Sequence, residues 1–372
     1  MGIFGKSTLL DWLHTYTFPL EASLSQLDKA RQVYGRCIGK TLAHGTTTAA
    51  YYATVDVGST NLLADLCHAA GQRALVGRVC MDQLSPAWYR DESPAQAEAA
   101  TRESIAHIRA LDPAPSALVR PVITPRFAPS CTPDLLARLG RLHAETGLPV
   151  QTHISENVGE VALVRELFGD VAASYAGVYD AFGLLTDRTV LAHAVHLTDD
   201  EADLIRARGA KVSHCPCSNS AITSGAARVR WLLDRGIDVG LGTDMSGGYS
   251  PSVLEAARLA SLVSRHVAMG GDEAAKLSVE EVLYLATRGG AKVVGLADTV
   301  GAFAAGMDFD AQLIGLGRLD ADGGVVGDDS NVDVFGWESW EDRVAKWLFN
   351  GDDRNTRKVW VRGRLVHERT GE

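Results

Sequence analysis

The chain has 372 residues, of which 46% are hydrophobic and 22% charged, with a formal net charge of −10 at pH 7. This is the composition of a globular protein with a sizeable core, and the length accommodates one α/β barrel with additions or two ordinary domains. No block of Lys and Arg offers a surface that tracks phosphates, which argues against nucleic-acid binding, and no apolar run approaches the ~20 residues that cross a membrane.

Met1–Ser7 is too short and too weakly apolar for a signal peptide and fits the N-myristoylation spacing poorly. Residues 8–17 predict a short helix that leads into Tyr16-Thr17-Phe18-Pro19, and 22–40 carry helical periodicity through Leu24, Leu27, Ala30, Val33 and Cys37. The β-branched and aromatic run 46–52 predicts a strand. A helix at 60–70, a strand at 73–81, a helix at 94–110, a strand at 117–124 and a helix at 132–146 follow. They lead to a strand from Leu148 that ends on His153. The rhythm repeats with helices at 157–167, 199–208 and 225–235, a segment 173–182, and strands at 189–193, 211–216 and 238–244. Helices at 252–267 and 278–294 close this part, the second with Ser278 as N-cap and Glu280-Glu281 in its first turn. Beyond 308 the pattern changes to short strands at 309–314 and 358–366, with a turn at 321–324 and a helix at 339–348 between them. Six cysteines scattered at 37, 67, 80, 131, 215 and 217 read as reduced thiols in a cytoplasmic protein rather than a disulfide framework.

Strands alternating with helices imply a parallel sheet, and no Gly-x-Gly-x-x-Gly turn favours an open dinucleotide-binding sheet, so a (β/α) barrel fits best. Arg126, His153, His193, His214 and Asp244 then lie at or just past strand carboxyl ends, which converge on one face of a barrel. A lone strand-end histidine is more often structural than catalytic; three polar strand ends in one barrel make coincidence less likely. His153, His193 and Asp244 are the ligand types of a catalytic zinc site, and Glu156 stands where it could take a proton from water. Glycines 242, 247 and 248 let the backbone turn tightly around Asp244. Arg126-Phe127 pairs a fork donor with an aromatic face, which suits a flat, carbonyl-bearing heterocycle. His214-Cys215-Pro216-Cys217 lacks the spacing of a metal clip, and His196 reads as a capping or solvated residue.

The segments Leu10–Glu21, Gly45-Thr46-Thr47-Thr48, Thr124-Pro125-Arg126-Phe127, His153-Ile154-Ser155-Glu156-Asn157, Ala192-His193, His214-Cys215-Pro216, 240–250 and Gly351-Asp352-Asp353-Arg354-Asn355 resemble the guanine deaminase family of the amidohydrolase superfamily. The resemblance runs from about residue 8 to the end. It implies a zinc-dependent hydrolase of the (β/α)8 TIM-barrel type that converts guanine and water to xanthine and ammonia. One zinc ion would be held by His153 and Asp244. Glu156 would carry a proton from water to the purine ring and on to the leaving amine. His193 would hold the attacking water or lie against the metal, and Asp244 would accept a hydrogen bond from that water. Arg126 and Phe127, with His153, Glu156 and Asp244, would contact the purine, Arg126 on its carbonyl. A cytoplasmic homodimer is implied as well.

The sequence departs from that family in two ways. The family opens its barrel with a strand ending in His-x-His, which supplies two further ligands, and 1–20 contain no such motif. Cys217 stands where the family usually has Asn. The expectation is therefore a barrel lacking its first strand over residues 1–305. Residues 306–372 would carry remnant C-terminal strands of a small β-sandwich. Weak zinc binding and little turnover are expected of these residues alone. Two other readings stay open: a catalytically inactive shortened relative kept for binding or assembly, and another amidohydrolase acting on an aminated or chlorinated heterocycle. The intact Glu156 and Asp244 weigh against the first, and Arg126-Phe127 against the second.

Overall fold

Apolar runs bounded by capped helices become parallel strands because strands buried on both faces need no polar alternation. In the computed structural model, residues 3–369 are described apart from Phe4, Ser7, Pro115, 320–324 and 327–329. The expected turn at 321–324 and most of the first stretch lie outside the described residues. All seven expected strands form: β1 Thr48–Tyr52, β2 Arg73–Gly77, β3 Val119–Pro121, β4 Val150–Ile154, β5 Thr189–His193, β6 Lys211–His214 and β7 Val239–Leu241. They pair in parallel and in chain order, β1 to β3 in one sheet and β4 to β7 in another. A parallel bridge between Ile123 and Val150 joins the two sheets into one barrel wall. Helices Leu27–Ala43, Val57–Ala70, Pro94–Leu111 and Pro133–Thr146 pack side by side around the first half.

Helix starts follow the expected chemistry. Ser278 accepts from the Glu281 amide in a capping box, and Asn157 pairs with Glu160 in the same way. The helix after Glu156 is thus capped by Asn157, whereas Ser155 is buried with its hydroxyl unpartnered and its backbone at φ +48°.

Four expectations on element boundaries are corrected. The helix expected over 8–17 continues to Ser23 through a π-helical turn at Leu13–Thr17. Pro19 lacks an amide and its ring crowds the carbonyl four residues back, which widens the preceding turn without ending the helix. The helix over 278–294 has a similar π turn at Leu285–Gly289. Here backbone meets backbone: a Cβ on Gly240 of β7 would lie 2.8 Å from the Gly290 Cα. The strand expected over 73–81 breaks at Arg78, whose buried guanidinium pairs with buried Asp91. The helix expected from 225 begins only at Val229.

β1 and β7 do not pair with one another, and among the described residues no strand bonds to the outer edge of either. A cavity of about 790 Å³ lies between them, bordered by 46–52 on one side and 240–247 on the other. C-terminal to the barrel, β8 Ala311–Ile314, β9 Thr356–Val361 and β10 Arg364–Glu368 form an antiparallel sheet. Arg73 at the start of β2 ties to Asp308 and Asp310, Arg362 to the Ser116 carbonyl, and Arg364 to the Ala69 carbonyl. These anchors hold the sheet beneath the amino ends of the barrel strands, away from the face that carries His153 and Asp244.

Asp91 also accepts the Met81 amide, at 3.1 Å, so it fixes the chain on both sides of the break. Asp91→Ala leaves a buried, uncompensated guanidinium and is expected to cost about 3–5 kcal/mol in denaturant unfolding; a loss under about 1 kcal/mol contradicts the role given to this pair.

Candidate active site

The carboxyl ends of β4, β5 and β7 deliver the expected residues to one cavity: His153, Glu156, His193 and Asp244 all line it, together with Arg126 and Phe127. The backbone leaves the strands in the left-handed region at Ser155 (φ +48°), His193 (φ +74°), Ala194 (φ +51°) and Asp244 (φ +44°). Such conformations are uncommon for residues other than glycine and cluster where side chains must be aimed. A Cβ on Gly247 would lie 2.2 Å from the Asp244 Oδ2, so a larger residue there would have to displace the Asp244 carboxylate.

Each imidazole has one nitrogen fixed by a neighbour. His153 Nδ1–H donates to the Arg126 carbonyl at 2.6 Å, leaving Nε2 as its free nitrogen. Its ring lies between Tyr52, with centroids 4.6 Å apart, and His193, stacked at 5.3 Å. Burial, with the nearby His193, pushes His153 down to about 3, so it is neutral and available as a ligand. His193 Nδ1 bonds Asn219 Oδ1 at 2.8 Å and turns Nε2 toward Glu156 Oε2, 3.5 Å away. Burial works against a charge on His193, but the facing carboxylates of Glu156 and Asp244 outweigh it and raise its pKa.

Glu156 is 3% exposed, and burial lifts its carboxyl from 4.5 to about 7 against the lowering effect of His193. A carboxyl that titrates near neutrality can both accept and return a proton. Ser224 donates to its Oε1 at 3.2 Å, and His196 Nε2 holds the Ser224 carbonyl at 2.7 Å. His196, read from sequence as capping or solvated, thus braces this loop. Glu160 sets the backbone: its Oε2 accepts the Glu156 and Asn157 amides at 2.8 and 3.2 Å, while Tyr175 donates to Oε1 at 2.7 Å. Arg126 is paired by both terminal nitrogens with Glu21, at 2.6 and 3.0 Å. Phe127 is buried in a cluster with Leu9, Trp12, Leu13 and Phe18 of the first helix, which therefore roofs the site.

Sequence reasoning did not single out Asn219, Ser224 or Glu160. Only Glu160 had a local signal, the Asn157-x-x-Glu160 capping box. Among the described residues no group of three or more His, Cys, Asp or Glu side chains is disposed to hold a metal ion. The donors still fit a divalent cation in kind. His153 has the tied-Nδ1, free-Nε2 arrangement of ligating imidazoles, and Asp244 supplies a carboxylate at the same cavity.

A parallel barrel with imidazole and carboxylate donors at its strand carboxyl ends is the architecture of a metal-dependent hydrolase. The Amidohydrolase family profile matches residues 1–366. A probable guanine deaminase of Schizosaccharomyces pombe is 50% identical over 98% of this chain and 68% of its own length. The guanine deaminase of Dictyostelium discoideum is 42% identical over 96% of this chain and 76% of its own. A crystal structure of guanine deaminase from C. acetobutylicum, with guanine bound in its active site, superposes with a TM-score of 0.87 at 34% identity. It covers 99% of this chain and 83% of that one. The chain belongs to the amidohydrolase family, a family of metal-dependent enzymes, and within it to the guanine deaminases.

His214 lies beyond this site, fully buried, with neither ring nitrogen bonded to any described residue. Burial, helped by His193, pushes it from 6.5 down to about 3. The folded state therefore resists a proton that the unfolded chain accepts. Its stability contribution is full above pH 6.5 and is lost as pH falls toward 3. His214→Leu is expected to flatten the acid-side loss of stability in urea titrations and to leave stability at pH 8 within about 1 kcal/mol. An unchanged acid slope contradicts this assignment.

Proposed function

We propose that this protein hydrolyses guanine to xanthine and ammonia, with Glu156 as the proton carrier. The observation that carries the reading is a buried carboxyl poised near neutrality, 3.5 Å from His193, in a cavity shared with Arg126, Phe127 and Asp244. Relatives at 50% and 42% identity that are named guanine deaminases support the choice of purine.

Arg126 donates to the purine carbonyl and Phe127 packs against the ring. Glu156 takes a proton from water and passes it to the ring nitrogen beside the amine-bearing carbon as the oxygen adds there. It next takes the proton of the added hydroxyl and gives it to the departing amine; as the C–N bond breaks the hydroxyl oxygen becomes the new carbonyl, so one water is consumed and one ammonia released. His193, with Nδ1 held by Asn219, directs Nε2 at the water, and Asp244 accepts a hydrogen bond from it. His153 and Asp244 would hold one zinc ion, which when bound supplies the Lewis acidity that makes water nucleophilic near neutral pH.

Cytoplasmic placement and a homodimer belong to the same proposal; six free cysteines support a reducing compartment. The division into 1–305 and 306–372 is likewise proposed, on the change from parallel to antiparallel pairing. No helix among the described residues is long and apolar enough to cross a membrane.

Guanine absorbance and zinc content, measured together on zinc-supplemented protein, test the reaction. Zinc-dependent turnover is expected, with Glu156→Gln lowering kcat by about 10²–10⁴-fold while zinc is retained. Turnover that survives in Glu156→Gln removes Glu156 from the proton role. With His153 and Asp244 as its two zinc-ligating side chains, the protein is expected to lose zinc on prolonged dialysis; tight stoichiometric zinc after dialysis shows that the ligand set is misassigned.

A further inference from the structure

Arg126 does not meet the cavity as a free cation. Its Nη1 and Nη2 donate to the two oxygens of Glu21 at 2.6 and 3.0 Å. The Tyr89 hydroxyl donates to Glu21 Oε2 at 2.7 Å, and the Phe18 ring lies 5.2 Å from the guanidinium carbon. Phe18, Tyr89 and Arg126 are buried, and the Glu21 side chain is 20% exposed. Both Glu21 and Arg126 line the cavity. A guanidinium has five N–H donors in a fixed fork. Glu21 takes two at the terminal edge, and Nε–H and the outer Nη hydrogens have no partner among the described residues.

We propose that Glu21 is a specificity-determining positioning residue: paired with Arg126, it makes the guanidinium a fixed donor within an ion pair of no net charge, so the site accepts a neutral carbonyl-bearing purine and rejects purine anions. The proposal rests on the reading that Arg126 faces the purine. A buried, unpaired guanidinium binds an anion far more strongly than a neutral carbonyl, because charge meets charge in a medium that screens poorly. A carboxylate already on the terminal edge cancels most of that attraction and repels an incoming anion. A neutral carbonyl needs only N–H donors, and those remain. Tyr89 keeps the carboxylate turned toward Arg126, and Phe18 fixes the guanidinium plane. Orientation is thereby set before substrate arrives, which lowers the entropy cost of binding.

Calorimetric binding of hypoxanthine, a neutral purine with a carbonyl, and of urate, anionic at neutral pH, tests this on the parent, Glu21→Gln and Tyr89→Phe proteins. The parent is expected to prefer hypoxanthine. In Glu21→Gln the affinity ratio should shift toward urate by about tenfold or more, and Tyr89→Phe should shift it less in the same direction. With guanine, Glu21→Gln should raise KM by more than it lowers kcat. An unchanged hypoxanthine-to-urate ratio in folded Glu21→Gln overturns the proposal, whatever the turnover of guanine. If the ratio shifts although the parent does not turn over guanine, the assigned reaction fails and this proposal stands. A parent that binds neither purine overturns the reading of Arg126 and this inference with it.

Discussion

The carbonyl of Arg126 is the contact on which the site depends. It accepts the His153 amide at 3.3 Å, the His153 Nδ1 at 2.6 Å and the Thr152 hydroxyl at 3.3 Å. One oxygen therefore locks the end of β4 to the segment after β3, sets the tautomer of His153 and fixes where the Arg126 side chain departs. Tyr179 secures the same junction from behind, donating to the His153 carbonyl at 2.8 Å. A strand end alone would leave an imidazole free to rotate; this junction leaves Nε2 as the available nitrogen. The barrel contributes the convergence of strand ends, and this hydrogen-bond hub contributes their orientation.

Charge is distributed around that hub so that each group has one task. The guanidinium of Arg126 is paired with the Glu21 carboxylate, which offsets its charge. Burial keeps His153 uncharged, while His193 holds its proton more firmly because two carboxylates face it. Glu156 is left near neutrality, where gain and loss of a proton are both accessible. These assignments require that water be scarce. Leu9, Trp12 and Leu13 of the first helix, packed with Phe127 over the cavity, supply that exclusion.

Much of this was legible in the sequence, and the exceptions have physical causes. The seven strands were readable because buried parallel strands are apolar runs, and His153, His193 and Asp244 because they interrupt those runs at the same end. The break at Arg78 was not, since an arginine is buried only if a partner exists, and Asp91 lies 13 residues away. Both π turns were missed because hydrophobic periodicity does not register one extra residue per turn. The partners that orient the site come from far along the chain: Glu21 is 105 residues from Arg126, and Ser224 is 68 from Glu156. No local pattern marks such pairs. Glu21 surfaced only within a segment resembling the guanine deaminase family, and its pairing with Arg126 emerged from the fold.

The central claim is hydrolysis at the amine-bearing carbon of guanine, and oxygen tracing tests it most directly. Zinc-replete protein incubated with guanine in ¹⁸O-enriched water, followed by mass spectrometry, should yield xanthine carrying a single ¹⁸O and an equal amount of ammonia. Xanthine without the label, or guanine recovered unchanged, contradicts the account.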